Sequence, residues 1–166
     1  MRSHITRGLG IAAGALLLVG GNHVSSASPS DGGHGTRQVA FTLTVTTVGG
    51  DVGCDPTDAT RCAPTFRAVR TFSGDLAGTS YAVGGAVLLG DGTYLGQDVA
   101  QFTGEVAGCG HGTLVMLEEG ILDPATGGAG GTWRIVQGRG TGDLAQASGS
   151  GTATPDGRAG GTVRCA

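Results

Sequence analysis

The chain has 166 residues, 35 of them glycine, about three times the usual share of roughly 7%. No Gly-X-Y period runs through them, which excludes collagen, and the absence of lysine with only seven aromatics excludes coiled coils and long charged helices. The net charge of −3, which becomes about −5 once residues 1–27 are set aside, disfavours nucleic acid and anionic membranes as partners.

Residues 1–27 have the three parts of an export signal. Arg2 and Arg7 open it, an apolar run follows from Leu9 to Val19, and Ser25-Ser26-Ala27 forms a small-x-small cleavage site. Cleavage is expected after about Ala27, giving a secreted protein with no membrane anchor, because the apolar run is shorter than the ~20 residues that span a bilayer. Residues 28–38, rich in Ser and Gly, read as a disordered lead-in, and 39–166 as one β domain.

From Val39 the residues alternate strictly, with Val39, Phe41, Leu43 and Val45 on one face and Ala40, Thr42, Thr44 and Thr46 on the other. This is the period of a half-buried strand. Seven similar runs follow at about 65–76, 79–89, 93–106, 112–119, 131–139, 147–154 and 159–165, separated by Gly, Asp and Pro clusters. No helix longer than about two turns is expected. Gly84-Gly85 stands inside a run, where glycine commonly marks a bulge or bend.

The motif G-[DE]-[LV]-A occurs at Gly74–Ala77, Gly104–Ala107 and Gly142–Ala145. Each spacing fits two strands with their turns, so an up-and-down meander puts all three motifs at one rim, called upper here. Cys109 and Cys165 then fall at the upper rim, and Cys54 and Cys62 in the loop after the first strand, at the lower. Bonded cysteines have Cα atoms within about 7 Å, so the expected disulfides are Cys54–Cys62 and Cys109–Cys165. The second must reach across the barrel mouth, because the fourth and eighth strands lie on opposite walls. No clustered cysteine pair suggests zinc.

Three segments carry a resemblance: Thr71–Ser80 (TFSGDLAGTS), Phe102-Thr103-Gly104, and Trp133–Leu144 (WRIVQGRGTGDL). In order and spacing they are similar to a family of mostly actinobacterial proteins whose barrel is that of plant allene oxide cyclases and dirigent proteins. The resemblance implies an all-β, eight-stranded antiparallel up-and-down barrel with a cavity, over roughly residues 39–163. It implies no activity. Family members often carry Glu-Arg before the F-T-G piece and Gln-His before the Glu-Gly of the fifth strand. Here those positions are Ala100-Gln101 and Leu117-Glu118, and no catalytic residue of the plant cyclases has a counterpart motif.

The residues themselves offer few candidates for chemistry. His111, in Cys109-Gly110-His111-Gly112, would stand at the upper rim as a general base or as an ordinary exposed turn histidine. Glu118 and Glu119 are adjacent on a strand, so one points inward and one outward. Leu114 and Met116 share the face of Glu118, while Val115 and Leu117 share that of Glu119, so hydrophobicity leaves the choice open. Arg70 shares a face with Phe66, Ala68 and Phe72, and an inward Arg70 with an inward glutamate would form a buried pair; the alternative is solvated charges on the outer wall. Tyr81, Tyr94 and Trp133 could orient a ligand if the interior is open. Asp51, Asp55 and Asp58 match no calcium loop, the G-x-G strings open no phosphate-binding helix, and no Ser-His-Asp set is legible, so neither metal nor cofactor is indicated.

Three functions remain: a binding module for a small, largely apolar molecule, an isomerase or cyclase that templates its substrate, and a filled structural or inhibitory barrel. The missing catalytic groups favour the first. Oligomeric state is left open.

Overall fold

The computed structural model describes residues 35–55, 57–123 and 128–165. The expected signal, its cleavage point and most of the lead-in lie outside the described residues. The strands are β1 (Thr36–Asp55), β2 (Asp58–Gly74), β3 (Leu76–Leu88), β4 (Tyr94–Val106), β5 (Gly110–Asp123), β6 (Gly128–Ile135), β7 (Thr141–Gly142), β8 (Ser148–Ala153) and β9 (Arg158–Arg164). Each long strand pairs antiparallel with the next, β6 with β8, and β9 with β1, so the sheet closes on itself. The result is an eight-stranded up-and-down barrel, to which β7 adds a two-residue bridge against β5. No helix occurs among the described residues.

Alternation fills the interior. Phe41 on β1, Phe72 on β2, Phe102 on β4, Met116 on β5 and Trp133 on β6 all turn inward and are at most 4% exposed. The four aromatic rings form one cluster, with centroids 5.6 Å apart for Phe41–Phe72, 5.7 Å for Phe41–Trp133 and 5.2 Å for the edge-on Phe72–Phe102 pair. Opposite these large residues the wall is made of glycine. A Cβ built on Gly151 or Gly161 would come within 2.6 or 2.8 Å of Trp133 Cζ2, so part of the glycine surplus is room for aromatic rings.

The repeated motif closes the upper end. Its Leu76, Val106 and Leu144 are fully buried, forming an apolar plug beneath the rim. Two of its acids tie the rim together, since Asp75 Oδ2 accepts the Ala40 amide at 2.8 Å and Asp143 Oδ2 accepts the His111 amide at 3.0 Å. Above the plug, Cys109 in the turn after β4 is bonded to Cys165 after β9, with Cα atoms 5.4 Å apart, across the mouth as expected.

Three details differ from the sequence reading. Thr36, Arg37 and Gln38 already pair with β9, because the barrel cannot close without a partner for its last strand, so order begins before Val39. The stretch read as a lower loop is mostly a continuation of the β1–β2 hairpin, whose backbone register sets Cys54 opposite Cys62; their side chains, and with them the expected Cys54–Cys62 bond, lie outside the described residues. Gly84-Gly85 is neither bulge nor break, for pairing runs unshifted through both on either side, and the register shifts fall instead on β1, at Thr47/Gly49 and Cys54/Asp55.

Candidate functional site

The inner face that carries the aromatic cluster also carries three charges nearer the lower end. Arg70 stands two residues from Ala68 and Phe72 on β2, Asp98 two before Ala100 on β4, and Glu118 two after Met116 on β5, so period-two geometry turns all of them inward. Between β2 and β4 runs β3, whose inward Ala82 and Gly84 leave a low wall that the Arg70 side chain crosses. Arg70 Nη2 donates to Asp98 Oδ2 at 2.5 Å and Nη1 to Oδ1 at 3.2 Å, a two-bond fork. The same Nη1 lies 2.9 Å from Glu118 Oε1. Side-chain exposure is 8% for Arg70, 7% for Asp98 and 19% for Glu118, so the glutamate is the member that solvent reaches.

Burial would lower the Arg70 pKa, but its hydrogen bonds to Asp98 and the charges of Glu118 and Asp98 outweigh that and hold the guanidinium above its usual value. Glu118 moves the other way. Burial pushes its carboxyl up to about 7, Arg70 opposes the rise, and the Asp98 charge reinforces it. The ion pair at 2.9 Å fails to keep Glu118 acidic because burial outweighs the attraction of Arg70, and the Asp98 charge adds to the rise.

Two polar atoms in this region have no hydrogen-bond partner. Ser80 Oγ, on a residue 3% exposed, lies on the inner face directly across from Arg70; Trp133 Nε1, on a residue 4% exposed, belongs to the cross-strand partner of Glu118. Buried unpaired donors and acceptors cost roughly 1–3 kcal/mol each. Beyond the charges the inner wall opens. Val45, paired with Arg70 on the same face, is 50% exposed, and the row Leu88, Tyr94, Leu122 gives the lower mouth an apolar lip.

Of the candidates named from sequence, the structure brings Arg70 and Glu118 into contact, sets Trp133 beside Glu118, and leaves Tyr94 half-buried at the lip. Glu119 points outward and is exposed. Tyr81 does too, at 47% exposure, so it does not line the interior: it pairs with Val69 and Gln101 on the outer wall. His111 is exposed at the upper rim, at the end of the barrel away from the charges, beside the Asp143 that caps its amide. Asp51 is exposed, and the side chains of Asp55 and Asp58 lie outside the described residues. Among the described residues no group of three metal-binding side chains converges.

Sequence reasoning missed Asp98 and Ser80. The signal for Asp98 was its phase with Ala100 and Phe102. An open pocket of about 570 Å³ lies along this part of the wall, lined by outward residues such as Val83, Val99, Glu119 and Arg134 and also by Asp98, Glu118 and Trp133.

None of the curated proteins matches this chain. A crystal structure of a protein with unknown function from the DUF3224 family of Shewanella oneidensis MR-1 is similar in fold, with a TM-score of 0.61 and 16% identity over 80% of this chain and 97% of that one. A family model described as "Protein of unknown function (DUF3224)" matches residues 33–163, all the strands but the last residue of β9, and the chain therefore belongs to the DUF3224 family.

Proposed function

We propose that the barrel is an exported binding module that takes a small, largely apolar molecule through its lower mouth. The observation that carries this reading is the position of the Arg70–Asp98–Glu118 cluster, at the level where the inner wall passes from sealed to solvent-reached. Burying three charges is expensive, and an apolar replacement of similar volume commonly stabilises a fold, so a cluster kept just inside an apolar lip points to a ligand rather than to stability. The unpaired Ser80 Oγ and Trp133 Nε1 add polar groups that a ligand would satisfy. Export rests on the pattern of residues 1–27.

Native mass spectrometry of protein secreted by its own host tests the reading. A reproducible small-molecule adduct is expected, lost when Val45→Trp narrows the mouth. Protein that is always free of adduct, and whose Val45→Trp variant behaves identically toward added apolar compounds, would count for a filled structural barrel.

Glu118 favours a second reading, an isomerase or cyclase of the kind the allene oxide cyclase and dirigent resemblance suggests, working by templating with one proton-transfer group. A carboxyl with a pKa of about 7 is matched to that task. Glu118→Gln would then abolish turnover of a discovered substrate, while Glu119→Gln, on the outer wall, would not.

A further inference from the structure

Charge does not balance at the lower end of the barrel. Arg70 on β2 supplies one positive charge, against the carboxylates of Asp98 on β4 and Glu118 on β5. Among the described residues, the inner faces around Glu118 add no other charge: β1 presents Val45, β3 Ser80, Ala82 and Gly84, β6 Trp133, and β8 and β9 glycine, with the Tyr94 phenol at the lip, while Glu119 and Arg134 stand on the outer face of the same wall. With both carboxylates ionised the cluster holds one negative charge that nothing in the wall neutralises.

We propose that the molecule bound in the barrel carries a cationic nitrogen, an organic ammonium that seats against Glu118 and balances this charge. The inference rests on the binding reading above and names the chemical class of its ligand. An anionic ligand is disfavoured, since Arg70 already spends three contacts on two carboxylates and would leave the newcomer facing a net negative cluster. A neutral ligand leaves the imbalance in place. The accessible member of the cluster is the glutamate, so a group entering from the lip meets a carboxylate first. A second, independent observation agrees. Ser80 Oγ, buried and unpaired across from Arg70, is a hydroxyl able to accept an N–H. Trp133, cross-strand from Glu118, places an aromatic ring in the same layer, where a desolvated cation gains from its π face.

In the empty barrel a proton does the balancing, so binding exchanges one cation for another and releases the Glu118 proton. Trp133 is the sole tryptophan of the chain, and its fluorescence reports on the site directly. The experiment titrates the secreted protein with benzylamine and n-hexylamine, each against its alcohol, benzyl alcohol and n-hexanol, at about pH 5.5 and about pH 8.5. Each amine is expected to bind roughly tenfold or more tightly than its alcohol at the higher pH, with the advantage shrinking at the lower one. Glu118→Gln should erase that advantage while leaving the alcohols unchanged, and Glu119→Gln should alter neither. Alcohols that bind as well as amines at both pH values overturn the cationic ligand and leave the binding reading standing. Amines whose preference survives Glu118→Gln overturn the assigned site. Silence from all four probes counts against both.

Discussion

The ring of Phe66 occupies the space that a side chain on Gly84, directly opposite it on β3, would need. A Cβ there would lie 2.6 Å from Phe66 Cζ and 2.5 Å from both Asp98 Cβ and the Gln97 carbonyl oxygen. Glycine at this position thus lets β3 pass between Phe66 and the acid that holds Arg70. Gly84→Ala should cost about 1–3 kcal/mol by overpacking, and Phe66→Leu in the same chain should recover only part, since the Gln97 oxygen and Asp98 remain. Gly90→Ala, with nothing within 4 Å, is the control and should be near neutral in urea denaturation.

Glu118 makes stability depend on pH in a direction unusual for a carboxylate in an ion pair. Its folded pKa is raised from an ordinary 4.5 to about 7, so between those values the folded protein holds a proton that the unfolded chain releases. The stabilisation from that proton is complete below about pH 4.5 and is lost as pH rises through 7. Glu118→Gln removes this slope and should be more stable than the parent at pH 8 by on the order of 1–3 kcal/mol, the lower end reflecting the solvent that reaches the side chain. Denaturant midpoints measured at about pH 5 and about pH 8 decide it: equal losses at both would show that the glutamate is a plain structural partner.

Asp98 has two effects that one substitution separates from simple burial. Asp98→Asn takes away a neighbouring negative charge and frees Arg70 to serve Glu118, so the Glu118 carboxyl should titrate below about 7, though burial keeps it above the ordinary 4.5. Carbon-13 NMR of labelled glutamate would follow the shift. Breaking a buried pair should also destabilise by about 3–5 kcal/mol. A titration midpoint that stays near 7 would mean that burial alone sets it.

The disulfide across the upper rim should be worth more than its single bond suggests. Cys109 and Cys165 are 56 residues apart, and in the chain-entropy model a loop of that length contributes about 4 kcal/mol by restricting the unfolded chain. Cys109→Ser with Cys165→Ser should lower the thermal midpoint accordingly. Leu144→Ala, which hollows the plug just beneath, should cost about 2–5 kcal/mol even with the bond intact.

The eight strands and the rim positions of Cys109 and Cys165 were legible because alternation and spacing are set by backbone geometry, and the G-[DE]-[LV]-A motif marks one rim three times. The site was only half legible. Arg70 shows its face through Phe66, Ala68 and Phe72, but Glu118 and Glu119 could not be told apart, because the outer wall is also apolar: Val83, Val99 and Tyr81 are 47–50% exposed on it. The same apolar outer wall is why Tyr81 passes for a lining residue. Asp98 looks like any surface acid until its phase with Ala100 and Phe102 is followed back along the strand. Gly84 reads as a bend because sequence records an absent side chain without saying which neighbour needs the space.

The barrel is sealed by pairing its first strand with its last, Thr36–Thr42 against Arg158–Arg164. In a simple meander that seam is where heat or pulling would start to unzip the cylinder, since nothing else holds the final strand except β8. Here the bond from Cys165 to Cys109 fastens the end of β9 to the opposite wall, so peeling the last strand loads the β4–β5 turn instead of releasing a free end. The staves of this cask are hooped at the sealed end, and slackening under stress is directed to the other end, where the charged cluster lies.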